Sequence, residues 1–353
     1  MSKYKISGNI GLFDTHNNKE KLSQIGNPLE RLSKVVDFEM FRPELEEKLL
    51  KHDKKNNAGA KPYDVLMMFK IILLQRYYNL SDEQAEYQIV DRMSFKNFLG
   101  LSSGDKSPDA RTIWLFKENL IQKDVVEDLF AQFSGYLDSL GLFVKEGQMI
   151  DASFVEVPRQ RNTKKENSQI KSGESEELWN ENPYKKRQKD IDARWTKKNG
   201  ETYYGYKDHI KGNIKSKLIK TYKVTDASVH DSQSTEDLLE ESDKGQILYA
   251  DSAYSGEPIA TILKSKEIEN QIHEKGYRGK PLTDEQKASN KSKSKTRVRV
   301  EHIFGFIEQN MHDFYIRSIG IKRAISIIGL INLTYNMCRY EQIVRLNLIP
   351  INQ

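Results

Sequence analysis

The first sixty positions are mostly polar and hold no sustained apolar period. They end in KHDKKNNAGAK, whose Gly, Asn and Lys content predicts a linker. The pattern changes at Pro62. PYDVLMMFKIILLQRYY is strongly apolar and predicts a buried helix with that proline near its start. LSDEQAEYQIVDRMSFKNFLGL follows, and Ser81 with Gln84 forms a capping-box pattern in which each side chain satisfies a free backbone N–H. SPDARTIWLFKENL predicts Ser107 as N-cap and Pro108 as first helical residue, and DVVEDLFAQFSGYLDSLG closes the series at Gly141. Residues 1–60 are therefore expected to be a polar segment and linker, and 61–141 a helical domain. That domain suits helix–turn–helix DNA binding, but its helices are not notably basic, and a bundle or dimerisation module suits it equally.

After Gly141 the chain is rich in β-branched and other apolar residues of both parities. GLFVKEGQMIDASFVEVP predicts a central strand. A polar stretch at about 159–190 reads as a mobile surface insertion. GETYYGYKDHIKG and KLIKTYKVTDASVH predict two strands able to pair antiparallel, and STEDLLEESD a short helix. QILYADSAYSG predicts a strand, EPIATILKSKE a helix, IENQIHEKG a strand and RGKPLTDEQKASNKSKSKT a basic loop. In RVRVEHIFGFIEQNMH the stripe Val300, Ile303, Phe304, Ile307 and Met311 predicts an amphipathic helix. A last helix carries a stripe through Ile321, Ala324, Ile325, Ile328, Ile331 and Tyr335. Strands mixed with helices in residues 142–345 predict an α/β core behind the helical domain.

Composition narrows this modestly. No apolar run of the 353 residues approaches membrane-spanning length, and the start MSKYKISGNIGLFD lacks the apolar core of a secretory signal, so a cytoplasmic protein is expected. The single Cys338 excludes an internal disulfide and a cysteine-rich zinc site. Net charge is only +5, but it is uneven. Lys185 to Lys223 holds 13 Lys/Arg against 4 Asp/Glu, and Lys275 to Arg299 holds 9 against 2, so the remainder sums to −11. Two basic stretches on an acidic chain are either solvated faces or a polyanion-binding surface, where cations neutralise phosphates and release counterions.

Three acids stand out by context. Asp151 lies in GQMIDAS, Asp251 ends the apolar run QILYA, and Glu301 stands beside an apolar helical stripe. Carboxylates are rarely buried without a partner, and sites in open α/β sheets form beyond strand ends. Hard cations such as magnesium suit a carboxylate cluster, and paired ions can clamp the attacking and leaving oxygens of a phosphoryl displacement. Each acid also has an ordinary reading. Asp151 can form a strand-end turn, Asp251 an N-cap or Asx-turn, and Glu301 an i−4 salt bridge to Arg297.

Five segments occur in order: MIDASFVEVPRQRN, DARWTKKNGETYYGYKDHIKGN, YKVTDASVHDSQ, LYADSAYSGE and RVRVEHIFGFIE. Together they resemble a bacterial insertion-sequence DDE transposase of the "insertion sequence five" group, and residues 62–101 resemble that group's amino-terminal helical domain. The resemblance runs from about residue 20 to 345. It implies a ribonuclease-H-like catalytic core, a mixed sheet flanked by helices, with an Asp, Asp, Glu metal triad. Matched motif by motif, the triad is Asp151, Asp251 and Glu301. A broader family signature places a Tyr, an Arg, the Glu and a Lys at fixed spacing. Arg297 fits it, whereas Ser294 holds the Tyr position and Glu308 the Lys position, so Arg299 or Lys295 is left to grip terminal phosphates. Glu308, two turns from Glu301, is a decoy for the third acid.

The resemblance implies Mg2+ as cofactor, with Mn2+ expected to substitute. It implies double-stranded DNA as partner, at terminal inverted repeats and target, and a homodimer on DNA in the bacterial nucleoid. No membrane and no small-molecule substrate is expected. DNA contacts are expected from Lys207, Lys295, Arg297 and Arg299, with His209, His230, Asp231 and Tyr254 as supporting residues. A lone strand histidine is more often structural, Asp231 can equally cap a helix, and Tyr254 can equally pack in the core. YYGYK offers a base-stacking surface, although tyrosine is favoured in strands regardless. A nuclease of the same fold without strand transfer, or a non-catalytic DNA-binding descendant, would carry much of the same pattern.

Overall fold

The computed structural model describes residues 13–50, 61–102, 104–175, 177–198, 200–312 and 314–351. The expected linker at 51–61 falls, but for Lys61, outside them. The chain divides into two compact units, residues 1–75 with 80–117, and residues 76–79 with 118–353.

The first unit is helical: α1 (Asp14–Ile25), α2 (Pro28–Val35), α3 (Arg42–Leu49), α4 (Val65–Tyr77), α5 (Asp82–Asp91), α6 (Met93–Leu99) and the start of α7 (Ala110–Gln122). Residues 14–49 thus differ from the polar segment expected there. Leu29, Leu32, Phe38, Phe41 and Leu45 are buried, but helices of eight residues offer too few apolar positions for a period to show. The Ser81–Gln84 capping box forms as expected. The start of α7 does not. Ser107 and Pro108 precede it, and Asp109 instead accepts the N–H of Thr112 (2.7 Å).

The second unit begins with α8 (Val125–Ser139) and is built on a mixed sheet. Its strands are β1 (Gln148–Glu156), β2 (Arg194–Lys198), β3 (Glu201–Asn213), β4 (Ile219–Asp226), β5 (Ile247–Tyr249) and β6 (Glu269–Asn270). The order is β2-β3-β1-β5-β6, with β4 pairing β3. β1, β2 and β4 run antiparallel to β3; β5 runs parallel to both β1 and β6. Helices α9 (Lys164–Ser172), α10 (Pro183–Arg187), α11 (Thr235–Leu238), α12 (Glu257–Ser265), α13 (Asp284–Arg297), α14 (Glu301–Asn310) and α15 (Ile321–Leu346) complete the unit.

Two expectations change here. The stretch at 159–190 is not structureless: Thr163 and Glu166 make a capping box for α9, and Glu166 also accepts from Trp179 and Lys185. The basic loop expected before Arg297 is largely the helix α13, started by a capping box at Thr283 and Gln286. It buries no residue, so it has no apolar stripe to betray it.

One sheet face covers a cluster of Ile150, Leu248, Ala250, Tyr254, Ile259 and Leu263. The other receives α14. A side chain at Gly212 would come within 2.9 Å of Ile303 Cδ1, so the glycine lets α14 lie close on β3. The expected stripe of α14 is buried throughout, which fixes the rotation of the helix and the place of Glu301 at its first turn.

Candidate functional site

The site grows from the β1–β5 pair. Gln148 lies opposite Leu248 and Met149 opposite Tyr249. A buried hydrogen bond from Gln148 Nε2 to Gln246 Oε1 (3.0 Å) pins this register at the strand starts. Continued for two residues, the one-to-one register brings Asp151 level with Asp251. β5 has ended by then, so Asp151 is a mid-strand residue that looks past the end of its neighbour. Asp251 terminates β5 and caps the turn at Ser252–Tyr254, accepting from the N–H of Ala253 (2.8 Å). The Asx-cap reading of Asp251 and a place beside Asp151 therefore hold together; one carboxylate does both.

The electrostatics agree. Burial, reinforced by the charge of Asp251, pushes the Asp151 carboxyl up to about 6, against the opposing pull of the Ala152 N–H, Arg297 and Lys198. Tyr254 is fully buried and its hydroxyl has no partner. Burial, with Asp151, Asp231 and Asp251 adding to it, pushes that phenol well above its ordinary range.

Glu301 reaches the pair through a third residue. Arg297 Nη1 donates to Asp151 (3.0 Å) and Nη2 to Glu301 (3.2 Å). The i−4 salt bridge is present, but the same guanidinium also spans to β1. Glu301 is 57 % exposed and Asp151 16 %. Among the described residues, no three His, Cys, Asp or Glu side chains stand close enough to hold a metal ion as they are. The donor set nevertheless fits a hard divalent cation. It is all carboxylate oxygen, and the charge of Asp251 raises the Asp151 carboxyl, a repulsion that a cation would relieve. A monovalent cation, the guanidinium, already lies between Asp151 and Glu301.

The other expected residues divide sharply. Lys207 is 8 % exposed, and its ammonium donates to Asp231 (2.7 Å) and the Val229 carbonyl (2.6 Å), so it faces inward rather than towards DNA. Asp231 is its buried partner. His209 is fully buried and bonds Thr225 Oγ1 (2.8 Å); burial holds its pKa down to about 4, which keeps it neutral. His230 is exposed and caps the turn at Asp231–Ser234 through Nδ1. Tyr204 and Tyr206 of YYGYK are buried, with their hydroxyls on Asp190, while Tyr203 stacks on Phe154. Arg299 donates to the Ile214 carbonyl (2.9 Å), and Lys295 is exposed.

His273 had no signal in the sequence. Beyond the two residues of β6 the chain still follows β5, with Gln271 N–H on Leu248 and His273 N–H on Ala250. That sets His273 beside Asp251. Its imidazole touches Ser294 (3.3 Å), and burial, with Arg297 and Lys293, lowers its pKa.

Comparison with known proteins adds the family. Residues 17–119 match a family model described as a transposase domain (DUF772), and residues 143–337 match the transposase DDE domain. Among solved structures, a cryo-EM structure of a piggyBac transposase synaptic complex with hairpin DNA aligns over 94 % of this chain and 78 % of that one, at 12 % identity and a TM-score of 0.44. No described helix is long and apolar enough to cross a membrane. The DDE match spans the whole mixed sheet and all three acids, with the ribonuclease-H-like core and divalent-metal dependence of that family. The chain belongs to the DDE transposases, DNA-binding enzymes that cut and transfer DNA strands.

Proposed function

We propose that Asp151, Asp251 and Glu301 are the metal-binding acids of this transposase, and that it cleaves at terminal inverted repeats and joins the freed end to target DNA. The observation that carries this reading is the β1–β5 register, which continued two residues past its last pair would set Asp151 level with Asp251, together with the Arg297 bonds to Asp151 and Glu301. Mg2+, with Mn2+ able to replace it, would supply charge stabilisation for the attacking and leaving oxygens of the phosphodiester. The chain's own groups orient the acids: the Ala152 N–H holds Asp151, and the Ala253 N–H holds Asp251. The buried cluster under β5 keeps that strand end fixed. Water attacks first and leaves a 3′-OH, and that hydroxyl attacks the target phosphate, so no protein nucleophile is needed.

Lys295, Arg297 and Arg299 on and after α13 would line the DNA path, and residues 17–119 would bind DNA ends or a second copy. Two ends must meet, so a homodimer on DNA is part of the proposal. The third acid is its sharpest test. Glu301→Gln should lose strand cleavage on an element-end substrate, while Glu308→Gln, exposed on the same helix, should retain it. The reverse pattern would overturn the choice of Glu301.

A further inference from the structure

One cation already sits among the proposed metal ligands. The Arg297 guanidinium bonds Asp151 with one nitrogen and Glu301 with the other. Its charge also acts on Tyr254 and His273, which flank the same acids. A divalent ion bound by the same acids would compete with it for their lone pairs and repel it at close range. A divalent ion on these acids therefore weakens the hold of Arg297 on them.

The same residue ends a helix that presents cations to solvent. α13 buries nothing, and Lys291 and Lys295 stand exposed one turn apart on it. Arg297, two residues past Lys295, turns to the other side of the helix and meets Asp151, so a DNA phosphate brought to the acids for cleavage would lie next to it. Guanidinium binds phosphate as bidentately as carboxylate, so the exchange leaves Arg297 fully bonded while it frees Asp151 and Glu301.

Resting on the metal-site reading above, we propose that Arg297 couples the two ligands. It holds Asp151 and Glu301 in the ion's stead while DNA is absent, and a DNA phosphate draws it off, so metal and DNA bind cooperatively. The free enzyme is thereby kept from loading its metal. Coupling is reciprocal: whatever factor DNA adds to metal affinity, metal adds to DNA affinity.

The test follows Mn2+ binding by the paramagnetic resonance signal of the free ion, with and without a duplex bearing the element end, after subtracting uptake by DNA alone. Wild-type affinity for Mn2+ should rise about tenfold or more when the duplex is added. Arg297→Gln without DNA should already bind Mn2+ about tenfold more tightly than the wild type without DNA, and the duplex should add little. The wild-type arm stands even where the variant fails to fold. A wild-type affinity indifferent to DNA, or equal affinity in wild type and a folded Arg297→Gln without DNA, overturns the coupling. Asp251→Asn separates this failure from the other: Mn2+ binding kept in that variant overturns the metal site itself, whereas its loss leaves the site standing and the coupling judged alone.

Discussion

The lysines of β3 and the outward lysines of α13 carry the same charge and do opposite things. Lys207 and Lys211 lie inside the second unit, and each has its anion. Lys207 holds Asp231 (2.7 Å), and Lys211, with no exposed side-chain surface, holds Asp243 and Glu240. Around them the same basic stretch is also consumed by local pairs, Lys215 with Glu146, Lys220 with Glu240 and Lys223 with Asp237. In α13 Lys287 pairs with Asp284, and Lys293 turns inward to Glu274 and the Ile272 carbonyl, while Lys291 and Lys295 face solvent. Two stretches of similar local charge therefore differ in what they offer a polyanion. Net charge along the chain counts charged side chains; only the fold shows which cations a phosphate can reach.

The contrast can be broken at its buried end with the larger effect. Lys211→Met removes a cation and leaves Asp243, 1 % exposed, as an uncompensated buried charge. Loss of one partner of a buried pair costs about 3–5 kcal/mol, and urea unfolding should report a loss of that size. Lys211→Met with Asp243→Asn should recover much of it, because the charge left behind is gone. A loss below about 1 kcal/mol in the single variant would mean that these lysines are as solvated as those of α13.

At the exposed end the effect moves from stability to binding. The double variant Lys291→Gln with Lys295→Gln touches no buried group, and unfolding should stay within about 0.5 kcal/mol of the wild type. DNA affinity measured against salt should lose about two from the magnitude of its log–log slope, since each phosphate contact contributes about 0.9. An unchanged slope would place the DNA path elsewhere.

Much of this molecule could be read before it was seen, and the failures share a cause. Asp251 was legible because an apolar run ending in an acid is locally odd, and Glu301 because it borders the stripe that buries α14. The Arg297–Glu301 bond was legible from spacing. The Arg297–Asp151 bond was not, because it closes 146 residues of chain, and no local pattern encodes a partner at that separation. Lys207 is expected among the DNA contacts, but nothing in the strand shows what covers it; Asp231, which does, is 24 residues away. α13 hid because a helix held by its caps and polar side chains shows no apolar period, and α2 and α3 hid because they are too short to show one. His273 hid because β6 is two residues long and its continuation is visible only in the hydrogen bonds to Leu248 and Ala250.

The account turns on the pairing of Asp151 with Asp251, and strand cleavage by Asp251→Asn tests it most directly. Asn keeps the size of the side chain and an oxygen to accept from Ala253, so the turn that Asp251 caps should survive. On an element-end duplex with Mg2+, the variant is predicted to bind the end about as well as the wild type and to release no 3′-OH. Cleavage at the wild-type rate would contradict the account.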